Sequence, residues 1–418
     1  MTDYVITGGR SSAYPAVHYG AHFTGTRATF CEPADFAALS ANVLAIPNLN
    51  ITVLSASPVS VPQEFFGTHV YYRANDSSLQ TTYRTIRIHD MQGGKARWQF
   101  IQPEDDPDTD NWDWVDLDDL VNTHHAAGRD LIFQLFGTPA WASARPTERN
   151  AYSDQPGSGI EFNRGIGAEP ADMADFSAFC TAVATRYAGK IRYYEVWNEV
   201  NYQNNGTAAT GTAAYFTGSY AKLAEMVRRA NQAIKAVDPT AKIICPNTQG
   251  WTTTSGATDT YFTGMMAAST GDGSTTMKDW VDIIGVHLYL PTSNKVQDLA
   301  GMIDRINASK TTAGVSALPT WDTESSMISS QASAYSDAKV CRHIGRFMLT
   351  AAAKGIERSN WYQWDRDELD GYGFKNRPVV VAFHEAMRAL LMSGTILTVS
   401  RFADGRVGYY TSHGLTII

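Results

Sequence analysis

Ile191-Arg192-Tyr193-Tyr194-Glu195-Val196-Trp197-Asn198-Glu199 is the stretch that decides the fold. Its first six residues are rich in aromatic and β-branched side chains, as in a strand buried on both faces. The strand ends in an Asn-Glu pair. A parallel (β/α)8 barrel gathers its chemistry at that end of its strands. One carboxyl group at a strand tip asks for a second, because paired-carboxyl chemistry sets one group on each side of the bond that breaks. Leu318-Pro319-Thr320-Trp321-Asp322-Thr323-Glu324 offers it, ending a later strand on Glu324.

Outward from this stretch, strands and helices alternate from Phe65 onward, which predicts a parallel sheet with helical crossovers. Eight strands are expected, at Phe65–Val70, Thr85–His89, Leu131–Phe136, Tyr193–Trp197, Lys242–Cys245, Ile283–His287, Thr320–Glu324 and Asn360–Trp364. Between them, Leu223, Met226, Val227, Ala230, Ala233, Ile234 and Val237 recur at helical spacing, and Asp238-Pro239 stops that helix. Phe176, Phe179, Cys180, Val183 and Tyr187 mark a second helix ending at Gly189. Others are expected at 335–354 and near 379–392. The fold class is therefore α/β, a (β/α)8 TIM barrel spanning residues 63–394.

The flanks differ. Residues 1–62 are rich in Ser, Thr, Ala, Pro and Gly, alternate at Asn50-Ile51-Thr52-Val53-Leu54, and pass into Ser57-Pro58-Val59-Ser60-Val61-Pro62, which reads as a linker. Residues 395–418 read as a hairpin, with Asp404-Gly405 between Thr398–Phe402 and Val407–Tyr410. Neither flank is large enough alone, so the two are expected to pair into one small accessory β module. No internal repeat or low-complexity tract is visible.

The bulk numbers exclude several classes. A net charge of -8 argues against nucleic acid and anionic membrane surfaces as partners. No apolar run approaches 18 residues, so no transmembrane helix is expected. The N-terminus has neither a basic region nor an apolar core of signal-peptide length. A soluble protein is expected, one that stays in the cytoplasm, reaches an extracellular substrate by another route such as lysis or attachment to a phage particle, or has lost its leader. Cys31, Cys180, Cys245 and Cys341 have no metal-ligand spacing and suggest no disulfide framework. Asp105-Asp106-Pro107-Asp108-Thr109-Asp110 lacks the glycine and terminal glutamate of an EF-hand loop, so it reads as a solvated loop. No metal and no cofactor are expected.

The polar and aromatic residues at the strand tips are His69, Arg87, His89, Thr138, Trp141, Asn198, Glu199, Asn247, Gln249, His287, Tyr289, Glu324, Trp361, Trp364 and Asp365. In combination they resemble the superfamily of retaining (β/α)8 glycosidases: Trp197-Asn198-Glu199 after strand four, Glu324 after strand seven. Thr85-Ile86-Arg87-Ile88-His89-Asp90, the His287-Leu288-Tyr289 end of strand six, Phe66-Gly67-Thr68-His69, and Trp361 with Asp365 resemble glycoside hydrolase family 39 more closely. Thr138-Pro139-Ala140-Trp141-Ala142-Ser143 is similar to the strand-three loop of its endo-acting, exopolysaccharide-degrading bacterial members.

The resemblance implies hydrolysis of glycosidic bonds with retention, on an oligo- or polysaccharide. Glu324 is then expected to be the nucleophile and Glu199 the general acid and base. Asn198 would bond the sugar 2-hydroxyl, Arg87 would hold Glu324 ionised, and His287 or Tyr289 would orient it. His89, Trp141, Trp361 and Trp364 would contact sugar. Glu195 reads as structural, paired with a neighbouring base. Internal cutting of a bacterial exopolysaccharide is the leading expectation. An exo-acting enzyme such as a β-xylosidase, and a non-catalytic carbohydrate-binding or phage-tail adhesion protein, are the alternatives.

Overall fold

The computed structural model describes residues 23–24, 27–28, 51–55, 57–71, 79, 83–89, 95–104, 112–151, 164–207, 214–290, 298–327, 335–365, 373–402, 406–412 and 414–417. The Asp105–Asp110 run, most of the loop after Asp365, Cys31 and Asp404-Gly405 lie outside the described residues.

After a two-stranded pairing of β1 (Phe23–Thr24) with β2 (Arg27–Ala28) and the strand β3 (Ile51–Ser55), eight strands form one parallel sheet. They are β4 (Phe66–His69), β5 (Thr85–Ile88), β6 (Asp130–Leu135), β7 (Tyr193–Val196), β8 (Lys242–Ile244), β9 (Ile284–His287), β10 (Thr320–Ser325) and β11 (Ile356–Trp361). Sheet order runs β8-β7-β6-β5-β4-β11-β10-β9. The two ends meet, with Cys245 N donating to Ile283 O and His287 N to Thr248 O, each at 2.9 Å. The sheet thus curls into the expected TIM barrel, and most of its strands are buried along their length.

The helices form the outer layer: α1 (Trp98–Ile101), α2 (Val115–Ala126), α3 (Met173–Arg186), α4 (Tyr220–Val237), α5 (Ala257–Met266), α6 (Leu299–Ala313), α7 (Asp337–Ala353) and α8 (Pro378–Met392). Their ends follow local chemistry. Asp172, Ser219 and Ser336 cap α3, α4 and α7 by accepting from backbone N–H groups in the first turn. Gly314, at φ 74°, closes α6 in the left-handed conformation. Leu223, Met226, Val227, Ala230 and Ile234 of α4 are fully buried against the barrel, each worth about 1.5–3 kcal/mol for the larger aliphatics.

Two readings of the sequence need correction. The eighth strand is Ile356–Trp361, four residues earlier than expected. Glu357, Arg358 and Ser359 hid it, because charged residues seldom mark a buried strand. Arg358 is nonetheless inside the barrel, where Asp130 pairs with it at 2.7 Å. The 57–62 stretch is no free linker: Val59 N donates to Ile396 O at 2.8 Å, Val61 N to Leu391 O at 3.1 Å, and both side chains are buried.

The flanks do pair. β3 joins β12 (Thr398–Phe402), β13 (Val407–Thr411) and β14 (Gly414–Ile417) in an antiparallel sheet of order β14-β13-β12-β3 that packs on α7. The expected hairpin is there, and β14 adds a strand the sequence reading missed.

Candidate active site

The barrel interior is built in layers. Its floor is apolar and aromatic: Ile132, Tyr193, Ile244, Ile283 and Trp321 cluster there. The Arg358 guanidinium lies over the rings of Trp321 and Tyr193, at 4.3 and 4.6 Å. Above it the layer turns polar. Arg87, Gln134, Glu195 and Asn360 are all buried, and two glycines make room for them. A Cβ on Gly67 would stand 2.0 Å from Asn360 Oδ1, and one on Gly285 would stand 3.0 Å from Glu195 Oε1.

Arg87 ties this layer to the mouth. Its Nε donates to Glu195 Oε2 at 2.6 Å, Nη1 to Glu324 Oε2 at 2.8 Å and Nη2 to Asn198 Oδ1 at 3.0 Å. A planar guanidinium has the donors to serve three acceptors at fixed angles. Glu195 is thus the structural partner of a base, as its place within the strand suggests.

The two glutamates of the mouth meet over this arginine. Glu324 is held on both oxygens, Oε2 by Arg87 and Oε1 by the Tyr289 hydroxyl at 2.9 Å. Burial and the nearby Glu324 charge push the Tyr289 phenol upward, so it stays a donor. His69 Nδ1 is 4.0 Å from Glu324 Oε2, while its Nε2 meets Thr323 O at 3.0 Å. Glu199 has a different companion: His287 Nδ1 lies 2.8 Å from its Oε1 and 3.9 Å from Glu324. Burial brings the imidazole down to about 4, with Glu324 opposing the shift, so the ring is neutral at pH 7. Of the two orienters expected for Glu324, Tyr289 takes that part and His287 turns to Glu199. One atom from each of Glu199, His287 and Glu324 falls within 4.8 Å of the others. The same three could hold a divalent cation, but Arg87 already competes for Glu324 Oε2 with a full positive charge.

Glu199 stands on bent backbone. Trp197 and Glu199 have φ of 67° and 43°, in the left-handed region that side chains other than glycine seldom adopt. Each such residue costs of order 1–3 kcal/mol. Neighbours offset this. Trp197 O accepts from Gln134 Nε2 at 2.9 Å and Asn247 Nδ2 at 3.3 Å, and Asn247 Oδ1 accepts from Glu199 N at 2.6 Å. The Trp197 indole is wedged edge-on to Phe136 and Phe216.

The remaining expected contacts divide. Asn198 is at the mouth, its Oδ1 taken up by Arg87 and Gln134, which aims the side chain. His89 is buried behind it, with Nδ1 on Gln134 Oε1. It thereby holds Gln134, which in turn donates to Asn198 Oδ1. Trp141 is half-buried, edge-on to Trp98, with its indole N–H donating to Gln102 O at 3.0 Å. Trp361 and Trp364 are corrected. Trp361 points into the helical layer, stacked on Phe374 and edge-on to His343 of α7. Trp364 is 1% exposed and packs on Tyr83. Neither offers a face to a sugar. The misplaced strand end explains both errors, and it also concealed Tyr362, which is half-buried and edge-on to His69 at 5.1 Å. Gln134 was missed too, although a lone glutamine inside the apolar Leu131–Phe136 run is the kind of buried polar residue that signals a site.

The family model for cellulase (glycosyl hydrolase family 5) matches residues 78–367. The chain belongs to glycosyl hydrolase family 5. No curated protein matches it in sequence. Solved structures share the fold at low identity. A glucosidase from Croceicoccus marinus is 13% identical, with 86% of this chain and 75% of that one covered at a TM-score of 0.57. A family 39 β-xylosidase from Caulobacter crescentus is 17% identical over 85% and 78%, at 0.54. A family 39 enzyme from Xanthomonas axonopodis pv. citri is 16% identical over 85% and 71%, at 0.56. The kinship with (β/α)8 glycosidases expected from the strand tips thus holds. The family 39 likeness shows in the fold, and the family 5 model spans the region from before β5 to beyond β11. No helix among the described residues is long and apolar enough to cross a membrane.

Proposed function

We propose that this glycoside hydrolase works by retention, with Glu324 as nucleophile and Glu199 as acid and base. One observation carries the reading. Carboxylate oxygens of Glu199 and Glu324 fall within 4.8 Å of each other, close to the ~5–5.5 Å of retaining enzymes and short of the ~6.5–9.5 Å that leaves room for an inverting water.

The surroundings fit the two roles. Arg87 and Tyr289 hold Glu324 as an aimed anion. In the first step a Glu324 oxygen bonds to the anomeric carbon, the glycosidic C–O bond breaks, and the Glu199 proton passes to the departing oxygen. In the second, ionised Glu199 takes a proton from water, the water oxygen bonds to the anomeric carbon, and the ester to Glu324 breaks. His287 Nδ1 can accept from the acid form of Glu199 and, in the other tautomer, donate to the base form. Its Nε2 has no hydrogen-bond partner among the described residues that would fix one tautomer. Asn198, aimed by Arg87 and Gln134, is placed to meet the sugar 2-hydroxyl.

The substrate we infer is a polysaccharide cut internally. Support comes from the strand-three loop carrying Trp141 and from Tyr289 and Tyr362 at the mouth. The exo-acting reading takes its support from the β-xylosidase and glucosidase named among the structural neighbours. Glu324→Gln should abolish covalent labelling by 2,4-dinitrophenyl 2-deoxy-2-fluoroglycosides, while Glu199→Gln should keep activity on dinitrophenyl glycosides and lose it on poor leaving groups. Normal turnover by Glu324→Gln would remove it as nucleophile. Chain-length analysis of digested exopolysaccharide decides the mode, since release of terminal monosaccharide alone would sink internal cutting.

A further inference from the structure

Asp322 is a second acidic residue on the strand that carries Glu324, and the reaction does not use it. It is fully buried. No basic side chain pairs with it among the described residues. Its carboxylate accepts three hydrogen bonds instead, from β10, from β11 and from the residue after β9. Ser325 Oγ of β10 and Ser359 Oγ of β11 donate to Oδ2 at 2.6 and 2.7 Å. Leu288 N, just past β9, points to Oδ1 at 3.3 Å. The same Leu288 N lies 3.2 Å from the carbonyl of Glu324.

Leu288 sits between His287, which touches Glu199, and Tyr289, which touches Glu324. The pairing of β10 with β9 slips between Asp322 and Glu324, and that with β11 slips between Asp322 and Ser325. Asp322 therefore occupies the irregularity at which the strand turns Glu324 into the mouth. A buried carboxylate without a cation is a costly way to hold strands together. Burial pushes Asp322 up to about 7, and the Glu324 charge adds to the shift.

We propose that Asp322 is a positioning residue: by accepting from Leu288 N, Ser325 and Ser359 it sets the backbone that presents Glu324, Tyr289 and His287 to the substrate. This rests on the two-glutamate reading above. Asp322→Asn tests it, because the amide keeps the shape but must turn an NH2 towards either the serines or the Leu288 N–H.

Steady-state kinetics on 2,4-dinitrophenyl β-xyloside and β-glucoside, with melting temperature measured in parallel, give the readout. Misplacing reacting groups by a fraction of an ångström predicts a fall in kcat of about tenfold or more with KM within about twofold. Unaltered kcat, or a loss expressed in KM, overturns the proposal, as does a lowered melting temperature with normal kcat in the folded range. Should Asp322→Asn fail to fold, Ser359→Ala decides: a fall in kcat of about threefold or more at unchanged KM supports the role, and unchanged kcat overturns it. Wild-type protein that turns over neither probe, exopolysaccharide nor xylan counts against the glycosidase reading itself. Wild-type turnover with unaltered variants counts against Asp322 alone.

Discussion

Arg87 Nη1 donates to Glu324 Oε2 at 2.8 Å while the same guanidinium holds the fully buried Glu195 at 2.6 Å. Glu324 and a core carboxylate thus share one cation. Arg87→Met leaves both without it, and removing one partner of a buried pair costs about 3–5 kcal/mol. Urea denaturation should show a loss of that size. Arg87→Lys keeps the charge but cannot reach three acceptors, so it should retain more stability while losing about 10²–10³ in kcat/KM.

Asn247 bears on Glu199 through the backbone alone. Its Oδ1 accepts from Glu199 N, and its Nδ2 donates to Trp197 O, and both of these residues have positive φ. Asn247→Ala should lower kcat about tenfold or more by letting this turn relax. Asn247→Asp keeps the acceptor and should recover part of the loss. Equal kinetics for both variants and wild type would show that the turn holds without it.

Gly285 tests the crowding of the polar layer. An added Cβ would meet Ile244 Cγ2 at 2.8 Å and Glu195 Oε1 at 3.0 Å. Overpacking of this kind costs about 1–3 kcal/mol. Because Glu195 must shift and it anchors Arg87, Gly285→Ala should lose activity as well as melting temperature.

Acid should unfold the protein early. Burial drives His124, His343 and His384 down to about 3, with nearby arginines adding to the effect, and brings His287 to about 4. A base held below its ordinary 6.5 binds its proton more readily in the unfolded chain. Its contribution is therefore complete above pH 6.5 and is lost progressively as pH falls towards 3–4, at about 1.4 kcal/mol per unit for each group. Melting temperature should fall steeply between pH 6.5 and 4. His343→Phe, which preserves a ring against Phe347 and Trp361, should make that slope shallower.

The barrel was legible because its strands obey one rule: short, apolar and ended by polar residues. β7 and β9 follow it, and with them Glu199, His287 and Tyr289, whereas β10 carries one apolar side chain, Trp321, and was marked by its β-branched threonines and by the Glu324 at its end. The rule failed at β11, where Arg358 is buried by stacking on Tyr193 and Trp321 and pairing with Asp130. Those partners are distant in sequence, so nothing local announces them. The error carried forward, assigning Trp361 and Trp364 to the cleft and passing over Tyr362. The companions of the glutamates were harder still. Which carboxylate His287 serves depends on ring placement between strand tips, and the support of Asn198 by Gln134 depends on the inward face of β6. Sequence marks the residues that a site contains, but their pairing is settled by three-dimensional packing.

The pairing of β3 with β12 has a temporal consequence. During synthesis β3 emerges roughly 350 residues ahead of its partner, a delay of tens of seconds at about 5–20 residues per second. Throughout that interval an Ile-Thr-Val-Leu-Ser strand has no neighbour within its sheet, and an unpaired edge invites other chains. The barrel strands meet their sequence neighbours far sooner, apart from the closing contact of β4 with β11. The accessory sheet is therefore the last part of the molecule able to assemble. A newly made chain stopped short of Thr398 would carry a nearly finished barrel with a sticky N-terminal strand.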